Sequence, residues 1–107
     1  MNKYTVIVEA EAEKDLKSIF KYITENFKEF ETAKKLLSSI SSAFDSLETF
    51  PLRHPVVLRE RYGALGLRRL IVKNYSIIYY VDENNAAVHI VNVIYNRREL
   101  NHLFNEL

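Results

Sequence analysis

The chain has 107 residues, no cysteine, 48% hydrophobic residues and a formal net charge of +1, which suits a single domain with one core. The lack of cysteine excludes disulfides and thiolate metal sites. No segment approaches the about 18 apolar residues of a membrane span, and the first apolar run is too short for a secretory signal, so a soluble, cytoplasmic protein without membrane contact is expected.

Charge is unevenly placed. Residues 1–50 carry 7 Lys and 9 acids, a balance of −2, whereas residues 51–107 carry 7 Arg, 1 Lys and 5 acids, a balance of +3. Arginine offers a planar fork that matches phosphate, while lysine is the usual solvating charge of an exposed helix. The split points to an anion-binding face in the second half, set against the plainer account that helices favour Lys.

In chain order, residues 4–8 read as a strand, with Tyr4, Val6 and Val8 on one face. A helix follows over residues 9–27. Leu16, Ile19, Phe20, Ile23 and Phe27 form its apolar stripe, and Glu9, Glu11 and Glu13 lie at its start, where the helix dipole favours acids. A break is expected within residues 26–31. Thr32 is the expected N-cap of a second helix, whose stripe is Ala33, Leu36, Leu37, Ile40, Ala43 or Phe44, and Leu47. Phe50-Pro51 is expected to end it, because a residue before proline is pushed out of the helical region. The two helices should form an antiparallel hairpin over one face of a sheet.

Residues 52–65 are the least regular. They contain a short apolar run, Val56-Val57-Leu58, that suits an edge strand, and the cations Arg53, Arg59 and Arg61. Three strands follow, over residues 67–72, 75–81 and 87–95, rich in Val, Ile and Tyr and separated by Lys73-Asn74 and the polar run from Asp82 to Asn85. Short connections imply an antiparallel meander. Both of its faces are mostly apolar, so the face away from the helices needs a second cover. That cover is either a partner or a short C-terminal helix over residues 99–107, where Leu100, Leu103, Phe104 and Leu107 fall at helical spacing. The arginine pairs Arg68-Arg69 and Arg97-Arg98 bracket the meander and are expected to converge on one edge. His54, His89 and His102 lack metal-site spacing, and His89 reads as structural. No cofactor is implied.

The combination of residues 11–16 opening the first helix, Phe50-Pro51, and the segments 66–70, 74–82 and 91–100 resembles the RelE/ParE superfamily of toxins from bacterial type II toxin–antitoxin modules. The resemblance covers nearly the whole chain. It implies an α+β fold: an N-terminal strand and an antiparallel helix hairpin packed on a small, mainly antiparallel twisted sheet, with a short C-terminal helix, in a single domain over residues 1–107. It also implies a cognate antitoxin as partner, in a toxin–antitoxin hetero-oligomer.

Two activities occur in the superfamily. RelE-like members cut mRNA on the ribosome without a metal. ParE-like members poison DNA gyrase by binding. The first expectation is mRNA cleavage, with Arg68 or Arg69 and Arg97 matching the family's phosphate-binding arginines, and Tyr95, His102 or Tyr75 supplying proton transfer or base stacking. Arg59, Arg61, Tyr75 and Arg98 complete the expected substrate contacts. Alanine at Arg68 and Arg97 is expected to remove growth inhibition and leave the fold intact. The alternative is gyrase poisoning. Leu103 and Phe104 stand where RelE-like toxins often carry a tyrosine, and the helix hairpin and the Phe-Pro junction look ParE-like.

Overall fold

A computed structural model describes residues 3–26, 28–58 and 66–96. The elements are β1 (Thr5–Val8), α1 (Ala10–Asn26), α2 (Phe30–Ser46), a 3-10 turn (Pro51–Arg53), β2 (Val56–Leu58), β3 (Leu67–Val72), β4 (Tyr75–Asp82) and β5 (Ala87–Tyr95). The five strands make one mixed sheet in the order β1-β5-β4-β3-β2. β1 runs parallel to β5, and the other neighbours are antiparallel. The meander and its short edge strand therefore stand as expected. The expected C-terminal helix lies outside the described residues.

The sheet acquires its inner face from period-two alternation. Directly opposed residues in an antiparallel pair share a face. Leu70 opposes Ile77, which opposes Val93, and Val72 opposes Tyr75, which opposes Tyr95. From β1, Val6 and Val8 pair with Val88 and Ile90. These residues meet the helix stripes: Leu16, Ile19 and Ile23 from α1, and Leu36, Ile40, Phe44 and Leu47 from α2. Both Ala43 and Phe44 reach this core, Phe44 the more deeply. The outer face has a smaller cluster around Leu67 and Ile78, with Val57, Tyr80, Val91 and Ile94 against it. His89 is structural: its ring stacks on Tyr80 at 4.8 Å, and its Nδ1 lies 3.0 Å from Glu9 Oε2.

Two helix boundaries differ from expectation. α2 starts at Phe30, and Thr32 is not its cap; the Thr32 hydroxyl donates to Glu29 Oε1 at 3.2 Å instead. Lys28, at φ 52, turns the chain early enough that the helix begins before Thr32. At the other end α2 stops at Ser46, with Leu47 capping, four residues ahead of Phe50-Pro51. That dipeptide opens the 3-10 turn instead, and Phe50 is left-handed at φ 48 and ψ 50.

A single carboxylate ties α1 to the sheet. Asp15 Oδ2 accepts from the Val93 backbone N–H at 2.9 Å and from Asn92 Nδ2 at 3.1 Å. These donors lie beside the irregularity where β5 shifts register against β4 between Ile78 and Tyr79. A carboxylate that fills ladder positions disrupted by a bulge keeps the backbone satisfied.

Candidate functional site

The strand register separates the two ends that the arginine pairs were expected to bring together. β3 and β5 both run antiparallel to β4, so they run parallel to each other. Arg68 opposes Tyr79, which opposes Ile90, whereas Tyr95 is level with Val72. The entry of β3 and the exit of β5 thus lie about 13 Å apart along the strands. Three strands put the start of the first and the end of the third at opposite ends, which corrects the geometric ground on which the arginine pairs were expected to converge. Arg97, Arg98 and His102, like Arg59 and Arg61, lie outside the described residues.

At the β3 entry, Gly66 is buried at φ 67 and leads into Leu67. Arg68 follows on the helix-covered face, opposite Tyr79. Its Nη1 donates to the carbonyls of Leu52 at 2.8 Å and His54 at 2.6 Å. The Tyr79 hydroxyl, fully buried, donates to Pro51 O at 2.6 Å. Burial pushes the Tyr79 phenol up to about 12, against the lowering influence of Arg68 and Arg53. Arg53 turns back on its own loop, with Nη1 donating to Thr49 O at 2.6 Å and Phe50 O at 2.9 Å and Nη2 to Ser46 O at 3.3 Å. Residues 49–54 are therefore clamped through their carbonyls by two guanidinium groups and a phenol. His54 stands edge-on to Tyr79 at 6.3 Å, and burial, with the nearby Arg53 and Arg68 charges, holds its imidazole below the usual histidine range.

Arg69 alternates to the outer face, opposite Ile78. It borders a shallow groove of about 350 Å³ at the open edge of β3, with His54, Pro55, Val57, Leu70 and Ile71. Arg68 and Arg69 are consequently neighbours in sequence on opposite sides of the sheet. Their Nε atoms, together with His54 Nε2, are buried without a hydrogen-bond partner among the described residues.

At the β5 exit the chemistry is aromatic. Tyr75 and Tyr95 oppose each other across the β4–β5 ladder, their rings edge to face at 5.3 Å. Burial, then the neighbouring Tyr95 and Tyr22 phenols, raise the Tyr75 phenol above its ordinary value. Below this pair the fully buried Ser76 hydroxyl donates to Asn96 Oδ1, and the Asn96 N–H donates to Asn74 O at 2.7 Å. Of the expected site residues, the structure brings Tyr75 and Tyr95 together and keeps Arg68 and Arg69 apart from them and from each other. Sequence reasoning missed the roles of Tyr79 and His54. The available signal was Arg68 itself, alternating in step with Leu70 and Val72 and so marked for the inner face.

Comparison with known proteins supports the same class. The chain is similar to the RelBE2 toxin–antitoxin complex of Mycobacterium tuberculosis, with 25% identity, 90% of this chain and 94% of that chain covered, and a TM-score of 0.61. It is also similar to the archaeal RelE-RelB complex of Pyrococcus horikoshii, with 25% identity, 90% and 98% covered, and a TM-score of 0.54. The chromosomal ParDE system of P. aeruginosa shares the fold at a TM-score of 0.70, with 15% identity over 89% of this chain and 98% of that one. No curated protein matches the chain. Strand, helix pair and mixed sheet define a toxin domain of the RelE/ParE type. Within that class the chain belongs to the family of ParE toxins of type II toxin–antitoxin systems, whose family model matches residues 6–100.

Proposed function

We propose that this toxin arrests growth by binding and poisoning DNA gyrase, rather than by cutting mRNA. One observation carries this reading. Arg68, on the inner face, has its guanidinium bonded to the carbonyls of Leu52 and His54, while Arg69 lies on the outer face. A 2′-hydroxyl attack on phosphate needs a base, an acid and cations converging on one phosphorus. Among the described residues the expected cations neither converge nor sit beside the tyrosines. A raised Tyr75 phenol also makes the phenolate scarcer, which weakens it as a base. Poisoning by binding needs a shaped surface and no such constellation.

The RelE-type reading retains one supporting feature: Tyr75 and Tyr95 sit edge to face at the strand end that leads to Arg97 and Arg98 in the chain. A titration of the toxin into a supercoiling reaction with purified gyrase and relaxed plasmid separates the two. Inhibition or trapped cleaved DNA supports the gyrase reading. Full supercoiling at a toxin concentration that arrests growth rejects it.

A cognate antitoxin completes the module. The similar M. tuberculosis and P. horikoshii structures are toxin–antitoxin complexes, which supports a toxin–antitoxin hetero-oligomer for this chain. No helix among the described residues is long and apolar enough to cross a membrane.

A further inference from the structure

Among the described residues, four other than glycine have left-handed backbone: Lys28, Phe50, Lys73 and Ala86. Three of them sit in chain reversals, between α1 and α2, between β3 and β4, and at the close of the β4–β5 turn. Phe50 differs in side chain and in setting. It is a bulky aromatic, for which this region is an outlier, and it precedes a proline, which favours extended backbone instead. Packing does not explain it, because the side chain is 65% exposed. Glycine would meet the backbone requirement without strain.

The loop that carries Phe50 is held rigidly from beneath. The carbonyls of Thr49 and Phe50 accept from Arg53, that of Pro51 from Tyr79, and those of Leu52 and His54 from Arg68. Leu52 is also exposed, at 36%. A strained aromatic, displayed with a neighbouring aliphatic on a clamped loop, has the two properties of an interface anchor: large apolar area and little ordering cost on binding. Arg53 adds positive charge at the base of the loop and forms no ion pair among the described residues.

We propose that residues 49–54 are the element with which the toxin docks on its protein target. Phe50 enters an apolar socket, and the positive field of Arg53 at the base of the loop favours acidic residues on the socket's rim. The guanidinium forks of Arg53 and Arg68 point back at loop carbonyls, so they contribute field and not the bidentate geometry that reads phosphate. That orientation favours a protein surface over a nucleic acid. The inference rests on the reading of this toxin as a binding poison and names the part of its surface that binds.

The test uses the full chain with Phe50→Gly, Phe50→Tyr and Phe30→Ser. Phe30 is an equally conspicuous aromatic, 55% exposed. It lies at the opposite end of α2, a helix about 24 Å long, from the loop. Each variant is assayed for Tm, for growth arrest on induction, and for binding to purified gyrase holoenzyme. Phe50→Gly removes strain and little burial, so its Tm stays within about 3 °C of wild type. Its growth arrest is lost, and its gyrase affinity falls about 30-fold or more. Phe50→Tyr and Phe30→Ser arrest growth as wild type does. Full growth arrest by a folded Phe50→Gly variant overturns the proposal, as does an equal loss in Phe30→Ser. Loss of ribosome-dependent RNA binding in Phe50→Gly also overturns it, in favour of a nucleic-acid contact. Failure of the gyrase reading shows separately, as wild-type toxin that leaves the holoenzyme unbound while Phe50→Gly still loses growth arrest; the loop then docks on another protein.

Discussion

The two ends of the sheet make opposite use of polar side chains. At the β3 entry, Arg53, Arg68 and Tyr79 direct their donors onto the carbonyls of Thr49, Phe50, Pro51, Leu52 and His54 in one loop. At the β5 exit, Tyr75 and Tyr95 meet ring to ring above the buried Ser76–Asn96 pair. The first end is cationic in composition yet structural in its contacts. The second carries no arginine among the described residues, and its aromatic faces are half exposed. Positive charge in a sequence therefore does not locate an anion site until the partners of each guanidinium are known.

Substitutions sharpen this contrast, and the largest effect is expected at Arg68. Arg68→Ala strips donors from two carbonyls and exposes Tyr79, and should lower stability by about 3 kcal/mol in urea denaturation. Arg69→Ala, one residue on, should cost below about 0.5 kcal/mol. The side chain fastens the loop through Leu52 O and His54 O, so the Arg68→Ala variant is expected to fold with reduced stability. Equal costs at the two positions would break the comparison. Tyr79→Phe comes next. It leaves Pro51 O without its buried donor and should cost about 2 kcal/mol, against about 0.5 kcal/mol or less for Tyr75→Phe at the aromatic end. Asp15→Ala frees the Val93 N–H and Asn92 from their shared acceptor. It should cost about 1.5 kcal/mol, with faster amide exchange at Val93 as the local readout.

The smallest effect is a pH dependence confined to the cationic end. His54 has its folded pKa held below the unfolded value by burial and by Arg53 and Arg68. Between the folded and unfolded pKa values the unfolded chain binds more protons, so stability rises with pH through that window and falls as pH drops below about 6.5. His54→Gln should flatten the urea midpoint against pH over that range, while the wild type declines on the acid side. A wild-type midpoint that improves on acidification would contradict the sign.

Much of the fold was legible because alternation in β3 and β4 is regular. Leu70 and Val72 fall on one face by period alone, as do Ile77 and Tyr79, and Lys73-Asn74 marks the first turn, whereas Val93 joins Val88 and Ile90 on the inner face only because β5 shifts register between them. The helix stripes were legible for the same reason. The boundaries of α2 were not, because left-handed Lys28 and Phe50 carry no glycine signal and the real cap, Glu29, makes no side-chain bond. The site was legible only as composition. Arg68 looked like a substrate contact because its sequence neighbours are Arg69 and a strand, whereas its structural neighbours are Leu52 and His54, which are separated from it by 16 and 14 positions. Tyr75 and Tyr95 were identified individually, and only the register shows that they are paired.

The proposal at stake is that the toxin arrests growth by binding DNA gyrase and not by cutting mRNA. Its most direct test is a reconstituted translation reaction with defined mRNA, ribosomes and the wild-type toxin, in which RNA ends are mapped by primer extension. The account predicts no new ends at toxin concentrations that arrest growth. New ends within codons occupying the ribosomal A site, absent when ribosomes are omitted, would contradict it.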